Sequence, residues 1–531
     1  MPVASLATGR RAALAVCAVL LAPALVRADR QRVLRFIPHA DLAVLDPVWS
    51  GAYVTRNHAL MIFDTLYGMD ADFRIHPQMA EGHDTSNDGL RWTIRLRGGL
   101  RFHDGEPVLA RDVAASIRRW AVRDSFGQAL LAAMDEIASP DDRALTIRLK
   151  HRFPLLAYAL AKPGSPVCVI MPERLARTDS FRQVTEMVGS GPYRFLPAEQ
   201  VAGARVCYER NPGYQPRSGG TPSLTAGPKY AHFDRVEWHV LPDPSTAAAA
   251  LQAGEVDWWE APTFDLLPLL EREPHLATTR PDPVGLMGML RFNHLHPPFD
   301  EPAVRRALLP AVSQAAYVAA VVGSFPEGGR TGIGFFTPGT PSASEDGLAV
   351  LDGPRDLERA RRELASAGVA GKRIVLIAPS DFPLLKAQAD IGADLLRRVG
   401  FDVDYQAMDW GTAIRRLASQ EPPARGGWNV VHTYFSGVDV LDPAVHPYLR
   451  GNGRAGRTGW PSSQYIEALR EAWFAADDSE TRAALTRALQ RQAFADLPYI
   501  PIGQLRLRSA HRRDLAGIPS IVPTFWNVRR V

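Results

Sequence analysis

Only three cysteines occur in 531 residues, which excludes a disulfide-built scaffold and a four-cysteine zinc module. Lysine is nearly as scarce, with Lys150, Lys162, Lys229, Lys372 and Lys386 as the whole set. The remaining basic residues are arginines, and no dense basic block is interleaved with aromatics. Neither nucleic acid nor an anionic membrane is therefore indicated as a partner. Past the N-terminus no apolar run approaches the length of a membrane span. The catalytic signatures G-x-S-x-G, H-E-x-x-H, C-x-x-C and G-x-x-x-x-G-K-[ST] are missing. Phe102-His103-Asp104-Gly105 reads as a turn between a strand and a helix, not as a catalytic group. No enzyme activity and no cofactor are expected.

What is present begins with a targeting signal. Arg10 and Arg11 precede an apolar run from Ala12 to Val26, and Val26-Arg27-Ala28 offers a small-residue cleavage site. Pro23 breaks the run, which is too short for a comfortable bilayer span. Residues 1–28 are read as a cleavable signal peptide, by ordinary secretion or by the twin-arginine route, giving a soluble periplasmic product. Cys17 lies in the middle of the apolar run behind Val16, a poor setting for lipid attachment. Cleavage removes three arginines and no acid, so the formal charge falls from +4 to +1. Cys168 and Cys207 remain, either as one disulfide or as two buried thiols.

The mature length implies more than one packed unit, and 46 % hydrophobic residues suffice for full cores. Short runs rich in branched and aromatic residues predict strands at 33–37, 92–96, 145–149, 235–241, 373–377 and 401–405. Helical periodicity covers 110–122, 245–253, 301–320, 356–367, 383–399 and 465–496. Asp356 suits an N-cap, and Gly368 and Gly400 suit C-terminal stops. Glycine- and proline-rich loops fill 215–228 and 323–347. The pattern is α/β or α+β, with no repeat array.

The most specific stretch is Trp92–Trp120, WTIRLRGGLRFHDGEPVLARDVAASIRRW. It reads as a strand, a Gly98-Gly99 turn, the Phe102–Gly105 turn, and a helix opening at Ala110 with Arg118 and Arg119 on its exposed face. Leu45-Asp46-Pro47, Asp64-Thr65-Leu66-Tyr67, Gly189–Tyr193, Glu209–Tyr214, Gly254-Glu255-Val256-Asp257, Arg291-Phe292-Asn293 and Asp496–Pro501 follow in a matching order. This arrangement resembles the family 5 extracellular solute-binding proteins, which serve peptide, nickel and opine importers. The resemblance spans about Val33 to Trp526. It implies a two-lobed α/β periplasmic-binding-protein clamp, type II-like, with an extra subdomain in the first lobe. The first lobe would cover 29–285 with the insertion at about 47–187. The second lobe would cover 286–497, and 498–531 would return to the first. Such a monomer closes on its ligand and presents it to an ABC permease in the inner membrane.

In peptide-binding relatives an aspartate three positions before an acidic-Pro pair captures the ligand's α-ammonium. Here the pair is Asp442-Pro443, which points to Asp439. A carboxylate in a closed cleft makes a strong charge-assisted bond to an ammonium. Otherwise Asp439 caps a turn or pairs with an arginine. Ser436 stands in the segment where the family carries a tryptophan. Tyr53, Trp259, Asn293, Trp410 and Tyr434 are the other cleft candidates, with core packing as the competing role for each. No carboxylate-binding arginine is found in 378–386. A peptide or peptide-like ligand is expected. The alternatives are nickel or a metal chelate, for which His294 and His296 form a spaced pair, and more remotely a secreted hydrolase.

Overall fold

The computed structural model describes residues 32–531, so the expected signal peptide and Cys17 lie outside the described residues. Two mixed sheets organise the chain. In the first, Val33–Ile37 lies between Arg235–His239 and Trp258–Trp259 and runs parallel to both. Four further strands complete a seven-stranded sheet, including Arg205–Arg210 on one side and Ala510–Arg512 on the other. Its central strand reads as an apolar run because both faces are covered. Leu34 and Phe36 are fully buried, and Phe36 meets Trp238, Trp258 and Phe525 at 5.6, 4.7 and 4.9 Å between ring centres.

The second sheet has six strands, centred on Leu286–Phe292. That strand pairs antiparallel with Val430–Ser436 on one side and with Tyr499–Leu505 on the other. Tyr499–Leu505 therefore belongs to the second lobe, and the return to the first begins after Leu505 instead of at Pro498. Two chain crossings join the lobes. They run side by side, with the Thr279 amide donating to the Ser509 carbonyl and the Asp282 amide to the Leu507 carbonyl, both at 2.9 Å.

The insertion is built on a four-stranded antiparallel sheet ordered 80–85, 91–96, 144–149 and 134–138. Helix Ala110–Arg123 packs beside it, and the Asp112 carboxylate reaches back to the Leu109 amide at 2.8 Å. Gly99 and Gly105, with φ of +79° and +92°, turn the chain between strand and helix, where a Cβ is disfavoured. Arg119 is not on the exposed face as expected. It is 3 % exposed and forms a two-pronged bond to Asp46 at 2.6 and 3.1 Å. The Leu45-Asp46-Pro47 motif is thus one half of a buried ion pair. Asp64 is likewise buried against Lys229 at 2.7 Å, and Asp124 against Lys162 at 3.0 Å.

Two long helical expectations are interrupted. Pro310 has no amide hydrogen and crowds the preceding turn, so 301–320 becomes Pro302–Arg306, a short 3-10 turn, and Gln314–Val322. The span 465–496 divides into Gln464–Ala475 and Ser479–Asp496, where Asp478 caps the second helix through the Thr481 amide at 2.7 Å. Asp356 does cap its helix, accepting from the Arg359 amide at 2.8 Å. Cys168 and Cys207 are both buried free thiols.

The lobes touch through apolar surface as well. Leu441, Ala444, Val445 and Trp473 of the second lobe join the first lobe's apolar core. Phe474 stacks on Phe153 of the insertion at 6.0 Å.

Candidate functional site

The strand ends of the two sheets face one another across the chain crossings, and a cavity of about 110 Å³ lies between them. In sheets with parallel strands the crevice beyond the carboxyl ends is where ligands bind. Here Val33–Ile37 leads to His39 and Trp258–Trp259 leads to Glu260, and both residues line the cavity. From the second lobe come Tyr434 and Ser436, at the end of Val430–Ser436. Asp282 enters from the first crossing.

Tyr53 opens helix Tyr53–Ile62 and ties the lobes together. Its hydroxyl donates to Asp439 Oδ2 at 2.6 Å and accepts from the Ser436 amide at 2.6 Å. Asp439 sits in the 3-10 turn that follows Ser436 and is 4 % exposed. Its other oxygen accepts from the Ser165 amide at 3.0 Å, and its side chain fills the space where Gly164 has none. Burial pushes the Asp439 carboxyl above its ordinary range, opposed by the charge of Arg56 and the Tyr53 bond. Among the described residues no cation reaches ion-pairing distance of this carboxylate. Asp439 itself does not line the cavity but lies behind Tyr53. A second pair repeats the arrangement at the insertion, where the Tyr158 hydroxyl donates to Asp442 Oδ2 at 2.7 Å.

Of the residues singled out from sequence, Tyr53, Tyr434 and Ser436 line the cavity and Asp439 is held by one of them. The other three are placed elsewhere. Trp259 is buried among Ile37, Leu251 and Leu276 in a satellite core. Asn293 is fully buried at the far end of its strand, donating to the Trp428 carbonyl and accepting from the Leu295 amide. Trp410 packs against the Leu417, Trp428 and Trp460 cluster. The His294 and His296 rings each face a backbone carbonyl, of Pro498 at 3.2 Å and Gln420 at 2.9 Å.

Sequence reasoning missed Arg56, His39, Glu260 and Asp282. His39 and Glu260 had a usable signal, since each directly follows an apolar strand of one sheet. Arg56 and Asp282 had none, because only the meeting of the lobes buries them. Glu260 Oε2 accepts from both the amide and the Nδ1 of His39 at 2.8 Å, and Oε1 accepts from Asn57 at 3.2 Å. Burial raises the Glu260 carboxyl, yet the His39 charge and hydrogen bonds outweigh it and leave it below the usual range. Asp282 has no such partner. Burial lifts it to about 7 despite amide bonds from Val284 and Gly285.

Residues 74–454 match the model of the bacterial extracellular solute-binding proteins, family 5 Middle. The chain is 35 % identical over 530 residues to a probable peptide ABC transporter periplasmic-binding protein, y4tO, of Sinorhizobium fredii, covering 99 % of this chain and 98 % of that one. Two solved structures share the fold. The periplasmic binding protein AgaA of A. tumefaciens R10, in complex with agropinic acid, superposes with a TM-score of 0.78 at 22 % identity, over 94 % of this chain and 99 % of its own. The ABC transporter-associated periplasmic binding protein DppA of Helicobacter pylori, in complex with the peptide STSA, gives 0.79 at 21 % identity, over 95 % and 99 %.

Proposed function

The chain belongs to the bacterial extracellular solute-binding proteins of family 5, and we propose that it is the monomeric periplasmic receptor of an ABC importer for a peptide or peptide-like small molecule. Residues 1–28 would direct export and be removed. The observation that carries the reading is the cross-lobe bonding at Tyr53. One hydroxyl of the first lobe holds both Ser436 and Asp439 of the second, so the closed arrangement has bonds that opening breaks. A receptor that changes shape this way offers a permease a means to tell loaded from empty.

Asp439 would anchor a cationic ligand group where parting of the lobes uncovers it from behind Tyr53. A buried carboxylate with two neutral donors keeps lone pairs for an ammonium, and an unpaired buried charge is otherwise unfavourable. The cavity volume suits a small ligand or one end of a longer one, and a longer ligand requires the lobes to part. The likeness to y4tO supports a peptide.

The test is native mass spectrometry of the exported protein, followed by release and identification of what it carries. A peptide or amino-acid derivative is the expected result. A metal chelate or a sugar would retain the receptor and move the ligand class. A protein that carries nothing, and that no peptide stabilises, would overturn the receptor reading.

A further inference from the structure

Arg56 is a guanidinium in the cleft that makes no direct ion pair among the described residues. It lies on the first lobe one turn into helix Tyr53–Ile62, is 5 % exposed, and lines the cavity. Its Nε and Nη2 share a single acceptor, Asn57 Oδ1, at 3.3 and 3.1 Å. Nη1 is buried and has no partner at all. One face rests on the Tyr53 ring, 4.8 Å from its centre.

The nearby carboxylates do not fill the gap. Glu260 is held by His39 and Asn57, Asp439 by Tyr53 and Ser165, and Asp282 by the Val284 amide at 3.0 Å. None of them reaches ion-pairing distance of Arg56. The guanidinium cannot shed its proton to relieve the burial. The charges of Asp439, Asp282 and Glu260 act on Arg56 at longer range, but its buried Nη1 has no acceptor, and a buried donor without an acceptor is unfavourable unless a partner arrives from outside. The Nη1–Nη2 end of a guanidinium presents two parallel donors, which matches the two oxygens of a carboxylate.

We propose that Arg56 is the binding site for a carboxylate of the ligand. The inference rests on the receptor reading above and deepens it. Tyr53 links Arg56 and Asp439 within one side chain, so the ligand would present an acid to the first and an ammonium to the second. The selected class is then zwitterionic, as amino-acid derivatives and short peptides are. Arg508 also lines the cavity but is already matched by Glu271 at 2.8 Å, which leaves Arg56 as the open position.

The molecule released from the wild-type protein is purified, part is converted to its methyl ester, and both are titrated into wild type, Arg56→Lys and Arg56→Met. Wild type is expected to prefer the free acid by at least tenfold, Arg56→Lys to keep part of that preference, and Arg56→Met to lose it. If nothing is released, alanyl-alanine and alanyl-alanine methyl ester serve as probes, read by the thermal midpoint. A released molecule without an acid group, or equal affinity of wild type for acid and ester, overturns the Arg56 site and leaves the receptor standing. Failure of every probe to bind or stabilise wild type overturns both.

Discussion

Removing the Asp439 carboxylate separates its two suggested roles. In Asp439→Ala the Tyr53 hydroxyl and the Ser165 amide each lose a charged acceptor that binds across the lobes. A hydrogen bond to a charged group contributes about 1.5–3 kcal/mol, offset in part because the variant no longer buries a carboxylate. The net loss to closure is about 2 kcal/mol, or roughly a thirtyfold fall in affinity for any ligand. A ligand with a free ammonium would lose at least about 2 kcal/mol more, since its charge is left in the cleft without a partner. Tyr53→Phe breaks only the hydroxyl bonds and keeps the carboxylate, so it should weaken free and N-acetylated ligands alike. The assay is isothermal titration of the released ligand and its N-acetyl form into wild type and both variants, with small-angle scattering to follow lobe closure. If Asp439→Ala weakens the two forms equally, Asp439 is a latch and anchors no ammonium. Unchanged affinity for both would remove the latch as well.

Other outcomes are fixed by the buried charges. Asp282 is raised to about 7 from an ordinary 3.8, so the native state holds its proton where the unfolded chain has lost it. This group therefore subtracts stability as pH rises through that window, by about 3 kcal/mol between pH 5 and pH 8. Urea unfolding should show Asp282→Asn gaining on wild type at pH 8 and nearly matching it at pH 5, and a gain at pH 5 alone would refute the sign. Asp46→Ala strands the buried Arg119 and should cost about 3–5 kcal/mol, whereas replacing the pair by Leu and Met should restore much of that; chemical denaturation of both variants checks it. Tyr158→Phe removes the hydroxyl bond to Asp442 and should favour the open form in scattering while leaving the preference for the free acid unchanged. A loss of that preference would mean the second latch reaches the ligand.

The sequence determined the elements and their family order, because those depend on local pattern. The runs at 33–37, 373–377 and 401–405 became the strands Val33–Ile37, Arg373–Pro379 and Asp402–Met408, and Asp356 capped the helix it precedes. Trp92–Trp120 spelled out its strand, turns and helix, since glycine and capping positions are set by neighbours in the chain. The two long helices were misjudged where local breakers outweighed periodicity, at Pro310 and at Asp478. The lengthening of the second lobe to Leu505 depended on strand pairing between distant segments, which no local pattern encodes. Long-range burial was also out of reach. Arg119 looked like a solvated helix face until Asp46, distant in sequence, covered it. Trp259, Asn293 and Trp410 carried the right chemistry for a cleft, but the first two are turned into packed cores and Trp410 lies half-buried against a cluster beside the cavity. Conversely, Arg56 and Asp282 are ordinary charged residues in sequence. They acquire meaning because two lobes meet over them, removing water and leaving one guanidinium without a bonded carboxylate and one carboxyl with a raised pKa.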